Sequence, residues 1–262
     1  MDPRDRTVLI TGASSGIGAA AASAFAAASA RLVLAARSAE PIERLAAALP
    51  GRHLAVPADV SDRDQCRALV ARAEAHFGQV DILINNAGVG LAGPVATLSP
   101  ADVERAIAVD LLGPLHLIQA VVPGMRERRF GQIINVSTVL AEQPLPYLGG
   151  YAAAKAALER VSEALRMELR GSGVRVTVLR PGTTRTGFRE RRLGSGGERR
   201  RVSSRGVPPE AAARALLRAA RKEPRTAYVT LGDRLSLLAA RLLPGPVEAL
   251  LARAITWESE QR

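Results

Sequence analysis

The stretch Thr7-Val8-Leu9-Ile10-Thr11-Gly12-Ala13-Ser14-Ser15-Gly16-Ile17-Gly18 decides the fold. An apolar strand runs into three glycines spaced G-x3-G-x-G, and an alanine-rich helical run follows through Ala28. Glycines serve where a backbone must turn tightly and let a pyrophosphate approach, and the N–H groups and dipole of the helix start then hold its negative charge. Working outward, short apolar runs alternate with longer helical patterns, which argues for a parallel sheet covered on both faces. Strands are expected at Thr7–Thr11, Arg31–Ala35, His53–Pro57, Ile82–Asn85, Gln132–Val136, Arg175–Leu179 and Thr226–Thr230. Helices are expected at about 17–29, 40–48, 62–77, 100–126, 150–170 and 209–222, with no internal repeat and no second domain.

Composition agrees with one α/β domain over residues 1–262: hydrophobic content is 47%, charged content 23%, and aromatics are only 3%, so Ala, Val, Leu and Ile must build the core. The one cysteine, Cys66, excludes an internal disulfide and lies in a helical pattern, which reads as structural. The three histidines, His53, His76 and His116, make no metal-ligand spacing, so no metal is expected. Met1–Arg6 is charged and the apolar run behind it is too short for a signal peptide, which makes the cytoplasm the default location.

Tyr151 and Lys155 stand four residues apart on one face of a helical stretch. A nearby ammonium favours a phenolate, so Lys155 is expected to lower the Tyr151 pKa towards neutrality, where the phenol can both donate and accept a proton at a carbonyl.

Taken in order, the Thr11–Gly18 turn, Asn85-Asn86-Ala87-Gly88 and Tyr151-x3-Lys155 resemble the classical short-chain dehydrogenase/reductase family over about residues 5 to 232. The resemblance implies a single Rossmann domain with a doubly wound seven-stranded parallel sheet, binding NAD(H) or NADP(H) and moving a hydride between nicotinamide and an alcohol or carbonyl. It makes Gly12, Ser14, Ser15, Gly16, Ile17 and Gly18 the phosphate turn, Asp59 and Val60 an adenine-contacting pair, and Asn86, Ala87 and Gly88 a central turn beside the cofactor. At the end of the second strand, where an acid would bind the adenosine ribose of NAD, stand Ala36 and Arg37. A guanidinium there suits a 2′-phosphate and favours NADP(H) over NAD(H); a solvated loop cation is the plain alternative.

Two positions depart from the family pattern. Where a serine thirteen residues before the tyrosine polarises the substrate carbonyl, this chain has Thr138, with Ser137 just before it. Neighbours on an extended segment point to opposite sides, so the two cannot share the role; Thr138 is favoured by spacing, and Ser137 takes over if the loop Val139–Gly150 is rearranged. Asp110 replaces the asparagine whose main-chain carbonyl holds a relay water in the family, which adds a charge near Lys155 unless Asp110 is simply a helix-surface acid.

After the sixth strand, Pro181, Gly182, Thr184 and Thr186 resemble the family's nicotinamide-side segment. Residues 183–207 then show no periodicity and read as a substrate lid. Between 185 and 205, eight arginines (185, 189, 191, 192, 199, 200, 201 and 205) face Glu190 and Glu198, a net of +6 in a chain of +11. That charge suits an anionic acyl thioester, and equally a solvated loop, while no aromatic interleaving supports nucleic acid. Leu235–Trp257 shows apolar helical groups broken by Pro244-Gly245-Pro246, neither long enough to span a bilayer; they could close the pocket, pack in an oligomer or lie on a membrane surface. The expectation is an NADP(H)-dependent ketoreductase or alcohol dehydrogenase, a homodimer or homotetramer. Tyr151 is its acid/base, Lys155 orients the nicotinamide ribose, Thr138 binds the reacting oxygen and Asp110 stands in the relay. The alternative from another class is a catalytically weak NADP-binding regulatory or scaffold protein of the same fold.

Overall fold

The computed structural model describes residues 1–194, 197–200 and 206–258, with strand 197–200 and Glu258 described by backbone alone. All five residues of β1 (Thr7–Thr11) are buried, as a strand covered on both faces requires. There follow α1 (Gly16–Ala27), β2 (Arg31–Ala36), α2 (Ala39–Ala48), β3 (His53–Pro57), α3 (Arg63–Phe77), β4 (Ile82–Asn85), α4 (Pro100–Ile107), a π-helical turn (Ala108–Leu112) and α5 (Gly113–Glu127). The chain continues with β5 (Gly131–Val136), a 3₁₀ turn (Val139–Ala141), α6 (Gly149–Glu168), β6 (Val174–Arg180), β7 (Gly197–Arg200), α7 (Pro209–Lys222), β8 (Thr226–Tyr228), α8 (Leu231–Leu242), α9 (Pro244–Ala254) and β9 (Ile255–Glu258).

Seven strands pair in the order β3-β2-β1-β4-β5-β6-β8, all parallel. This is a single-domain Rossmann fold, and its order reverses between β1 and β4, where a crevice opens beyond the carboxyl ends of the strands. Strand alternation divides the core. Val8 and Ile10 pack with Phe25 of α1 and Leu216 of α7, whereas Leu9 packs with Leu69 of α3 and Leu117 of α5.

The structure corrects the expected elements in four places. The helix expected at 100–126 is interrupted by the π turn, which sets Asp110 inward. Together Pro100–Glu127 makes a continuous helical stretch long and apolar enough to cross a membrane, but here Leu117, Val121 and Met125 lie in the core beside the sheet. The strand expected to reach Thr230 stops at Tyr228, because Thr230 and Asp233 form a reciprocal capping box that starts α8. The C-terminal break falls at Leu243, with Pro244 beginning α9, where its missing N–H costs no bond. The last described residues form β9, antiparallel to β7, so the segment expected to lack structure contains a strand held by the chain's own C-terminal part.

Candidate active site

The glycine turn meets its steric requirement at two residues, since Gly12 (φ +66°) and Gly16 (φ +56°) lie in the left-handed region. A Cβ on Gly18 would fall 2.2 Å from the Gly12 carbonyl oxygen, so the turn and the start of α1 pack without side chains between them. Asn86 fastens this turn to the central strands: its Nδ2 donates to Thr11 O at 2.9 Å, and the Asn86 and Ala87 amides both donate to Thr11 Oγ1 at 3.0 Å. Ser15, the N-cap of α1, makes no side-chain cap, and the first turn holds no acid. Its leading N–H groups and positive dipole end therefore lie at a cradle lined by Gly12, exposed Ser14, Ser15 and Gly16, with Ile17 packed towards the core. These residues fit a dinucleotide pyrophosphate.

At the end of β2, Ala36 is buried and Arg37 exposed. Burial pushes the Asp59 carboxyl up, but hydrogen bonds from Ser61 and the charges of Arg105 and Arg37 outweigh it and hold the group below its ordinary value. Asp59 Oδ1 accepts from Ser61 N at 2.9 Å and Oγ at 2.7 Å, while buried Val60 packs against Gly113.

Tyr151 and Lys155 lie in the first two turns of α6, a helix whose inner face packs on β5 and β6. Lys155 is buried, and its Nζ donates to Val136 O at 3.1 Å and meets Asp110 Oδ1 at 3.0 Å. Asp110 is 0% exposed, which rules out a surface acid. Burial pushes its carboxyl above the ordinary range, against the opposing pull of Lys155 and the Val89 amide. A Cβ on Gly88 would sit 2.7 Å from Asp110 Oδ1, so that glycine makes room for the pair. The expectation that Lys155 lowers the Tyr151 pKa is corrected: burial pushes the phenol up, and the Asp110 carboxylate adds to the rise. The ammonium is compensated at contact distance, so its net field at the phenol is weak.

Ser137 and Thr138 diverge. Ser137 Oγ donates to Glu159 Oε1 at 2.6 Å, which commits its proton. Thr138 Oγ1 accepts from Leu140 N at 3.3 Å, a bond that uses a lone pair and leaves the O–H as a donor. Glu159 belongs to a buried charge network that sequence reasoning missed. Arg180 Nε donates to Glu159 Oε1 at 3.0 Å, and the same guanidinium pairs with Glu142 and reaches Tyr228 Oη at 3.3 Å. Glu142 pairs in turn with Arg241 of α8, so the loop after Thr138 is tied to the C-terminal helices. The overlooked signal is Glu159 itself, a carboxylate on the Tyr151/Lys155 stripe of α6, which needs a cation once that stripe is buried.

The segment after β6 covers the crevice. Buried Pro181 leads to Gly182, where a Cβ would strike Asp233 of α8 at 2.1 Å, and Thr184 bridges to Val207. Thr186 lies over the phosphate turn, its Cγ2 3.0 Å from where a Cβ on Gly16 would stand. Phe188 meets the Tyr151 ring with centroids 5.6 Å apart, and Arg191 Nη2 donates to Ser15 Oγ at 3.1 Å. Neither Phe188 nor Arg191 was singled out for a site role by spacing. Of the lid arginines, Arg201 and Arg205 and the side chains of Arg199 and Arg200 lie outside the described residues. No cluster of metal-ligating side chains occurs among the described residues.

The short chain dehydrogenase family profile matches residues 6–194, and the chain belongs to that family. A ketoacyl reductase from a Nostoc species is 36% identical over 180 residues, covering 68% of this chain and 63% of the relative. The chain spans about 60% of the length of curated relatives it matches. Among solved structures, a 3-ketoacyl-(acyl-carrier-protein) reductase from Brucella melitensis complexed with NADH is 28% identical, with TM-score 0.79, covering 88% of this chain and 98% of the neighbour. A short chain dehydrogenase from Burkholderia cenocepacia in complex with NADP is 25% identical, with TM-score 0.81, covering 96% and 99%. The fold is thus the NAD(P)-binding Rossmann fold, found with either nicotinamide nucleotide.

Proposed function

We propose that this chain is an NADP(H)-dependent oxidoreductase of the ketoreductase type, acting between a carbonyl and a secondary alcohol. The observation that carries the reading is the placement of Tyr151 one helical turn from a buried Lys155, itself anchored to Val136 O at the carboxyl end of β5, beside a turn that fits a pyrophosphate. Bound NADPH supplies the hydride. Tyr151 gives its proton to the carbonyl oxygen as negative charge develops there, a step favoured in this direction by a phenol held protonated. Thr138 donates a second hydrogen bond to the same oxygen, since the Ser137 proton is already directed at Glu159. Lys155 holds the nicotinamide ribose. Tyr151 is reprotonated from solvent past Lys155, through a water that the Asp110 main-chain carbonyl would hold; Pro114, four residues on, has no N–H to engage that carbonyl. Ala36 and Arg37 support NADP(H), with Arg37 on the 2′-phosphate.

An acyl thioester is the substrate class we favour, supported by the ketoacyl reductase activities named for the Nostoc and Brucella proteins and by the arginine-rich lid. A second reading, a catalytically weak NADP-binding protein, draws on the Asp110–Lys155 pair, which opposes phenolate formation. One experiment separates them: NADPH oxidation by the parent and Tyr151→Phe across ketones and acyl thioesters, with NADPH binding followed by fluorescence. Turnover that Tyr151→Phe abolishes while binding stays within about twofold supports the reductase. A parent that binds NADPH and turns over nothing supports the second reading.

A further inference from the structure

The lid touches the phosphate turn at two successive residues. Thr186 stands over Gly16, and Arg191 Nη2 donates to Ser15 Oγ at 3.1 Å, with its guanidinium laid back across Gly187 so that Nη1 is 3.5 Å from where a Cβ would be. Ser15 is the N-cap of α1 and caps nothing with its side chain, and the first turn of that helix holds no acid. A cation has therefore been brought from the lid to the positive end of a helix, with a neutral hydroxyl as its partner there. Such an arrangement gathers positive potential from two sources at one point and suits an anion between them. The Ser15 bond uses one of five guanidinium N–H groups, and a planar fork matches two phosphate oxygens at once.

We propose that Arg191 is a lid-borne ligand of the cofactor pyrophosphate, so that nucleotide binding fastens the lid over the site. The inference rests on reading the Gly12–Gly18 turn as a nicotinamide-nucleotide cradle. Phe188, three residues before Arg191, lies against the Tyr151 ring, so the same clamp sets an aromatic cover over the reacting phenol. Cofactor retention and exclusion of water from Tyr151 become one event.

The test measures NADPH and NADH binding to the nucleotide-free protein by fluorescence, together with hydrogen exchange over residues 183–194. Arg191→Ala should raise Kd for both nucleotides by the same factor, about tenfold, as expected for loss of one charge-assisted contact at an exposed site. Arg191→Lys should lose less. Arg185→Ala, which removes the same charge from the same segment, should leave both Kd values within about twofold. NADPH should slow exchange over 183–194 in the parent and fail to do so in Arg191→Ala. Unchanged binding in Arg191→Ala, an equal loss in Arg185→Ala, or a loss confined to NADPH, which would put Arg191 on the 2′-phosphate, overturns the proposal. A parent that binds neither nucleotide removes the cradle reading and the clamp together.

Discussion

Replacing Asp110 by asparagine tests the electrostatics of the candidate site most directly. Asp110 is fully buried, with Oδ1 3.0 Å from Lys155 Nζ, and it adds to the rise in the Tyr151 pKa. Four residues of helix separate Tyr151 from Lys155 by about 6 Å along the axis, and the carboxylate meets the ammonium at 3.0 Å, so ~9 Å is an outer estimate of its separation from the phenol. A unit charge at ~9 Å in an effective dielectric of about 20 is worth ~1.8 kcal/mol, or slightly more than one pKa unit. Asp110→Asn keeps an oxygen acceptor for Lys155 and removes the charge. The apparent pKa governing alcohol oxidation should therefore fall by about one unit, and the rate at a pH below it should rise about tenfold. Removing one partner of a buried pair also leaves the ammonium less compensated, so the variant should unfold more easily, by up to about 3 kcal/mol. The assay is the pH profile of kcat/KM for NADP+-dependent alcohol oxidation, paired with ultraviolet titration of tyrosinate in Asp110→Asn with and without Tyr151→Phe. Overlaid profiles with parent, or a shift upward, would refute the reasoning.

Arg37→Ala should weaken NADP(H) by about 10- to 100-fold, the worth of a hydrogen bond between charged groups, and leave NAD(H) nearly unchanged; isothermal titration with both nucleotides checks this, and equal losses would remove the 2′-phosphate role. Burial, helped by the charges of Asp62 and Asp59, pushes the Cys66 thiol up to about 12, and its Sγ donates to Val60 O at 3.2 Å. The native protein should thus resist a disulfide reagent at pH 8, where only about one thiol in ten thousand is ionised, and react at once in denaturant. Rapid stoichiometric labelling of folded protein would contradict that environment.

Much of the sheet was legible because strands buried on both faces read as unbroken apolar runs, and because Gly12 and Gly16 mark positions that only a left-handed backbone explains. Tyr151 and Lys155 were legible from local spacing, since a helix brings i and i+4 to one face. What escaped depends on partners distant in sequence. Nothing near Glu159 announces Arg180, and nothing near Ser15 announces Arg191, because tertiary folding alone brings them together. The β7–β9 pairing is of the same kind: Gly197 meets Glu258 across a separation that short-range patterning cannot register. Apolar periodicity also failed to show the π turn, because a one-residue phase shift is masked in a stretch as apolar as Pro100–Glu127.

That turn has a consequence for how the gene for such a chain can vary. Relative to an uninterrupted α-helix, Ala108–Leu112 behaves as a helix into which one residue has been inserted, and the wider turn absorbs it so that the faces on either side keep their places. On the far side, Leu117, Val121 and Met125 are locked into the core. Loss of one codon here would restore regular helical bonding and leave the core face of α5 in place, while removing the wide turn that sets the Asp110 side chain inward. Exchange of Val109 or Leu111 for another apolar residue keeps both. Length, more than the identity of any single neighbour, is therefore what this segment must preserve, and relatives that differ by one residue between α4 and α5 should lack the buried ion pair with the lysine.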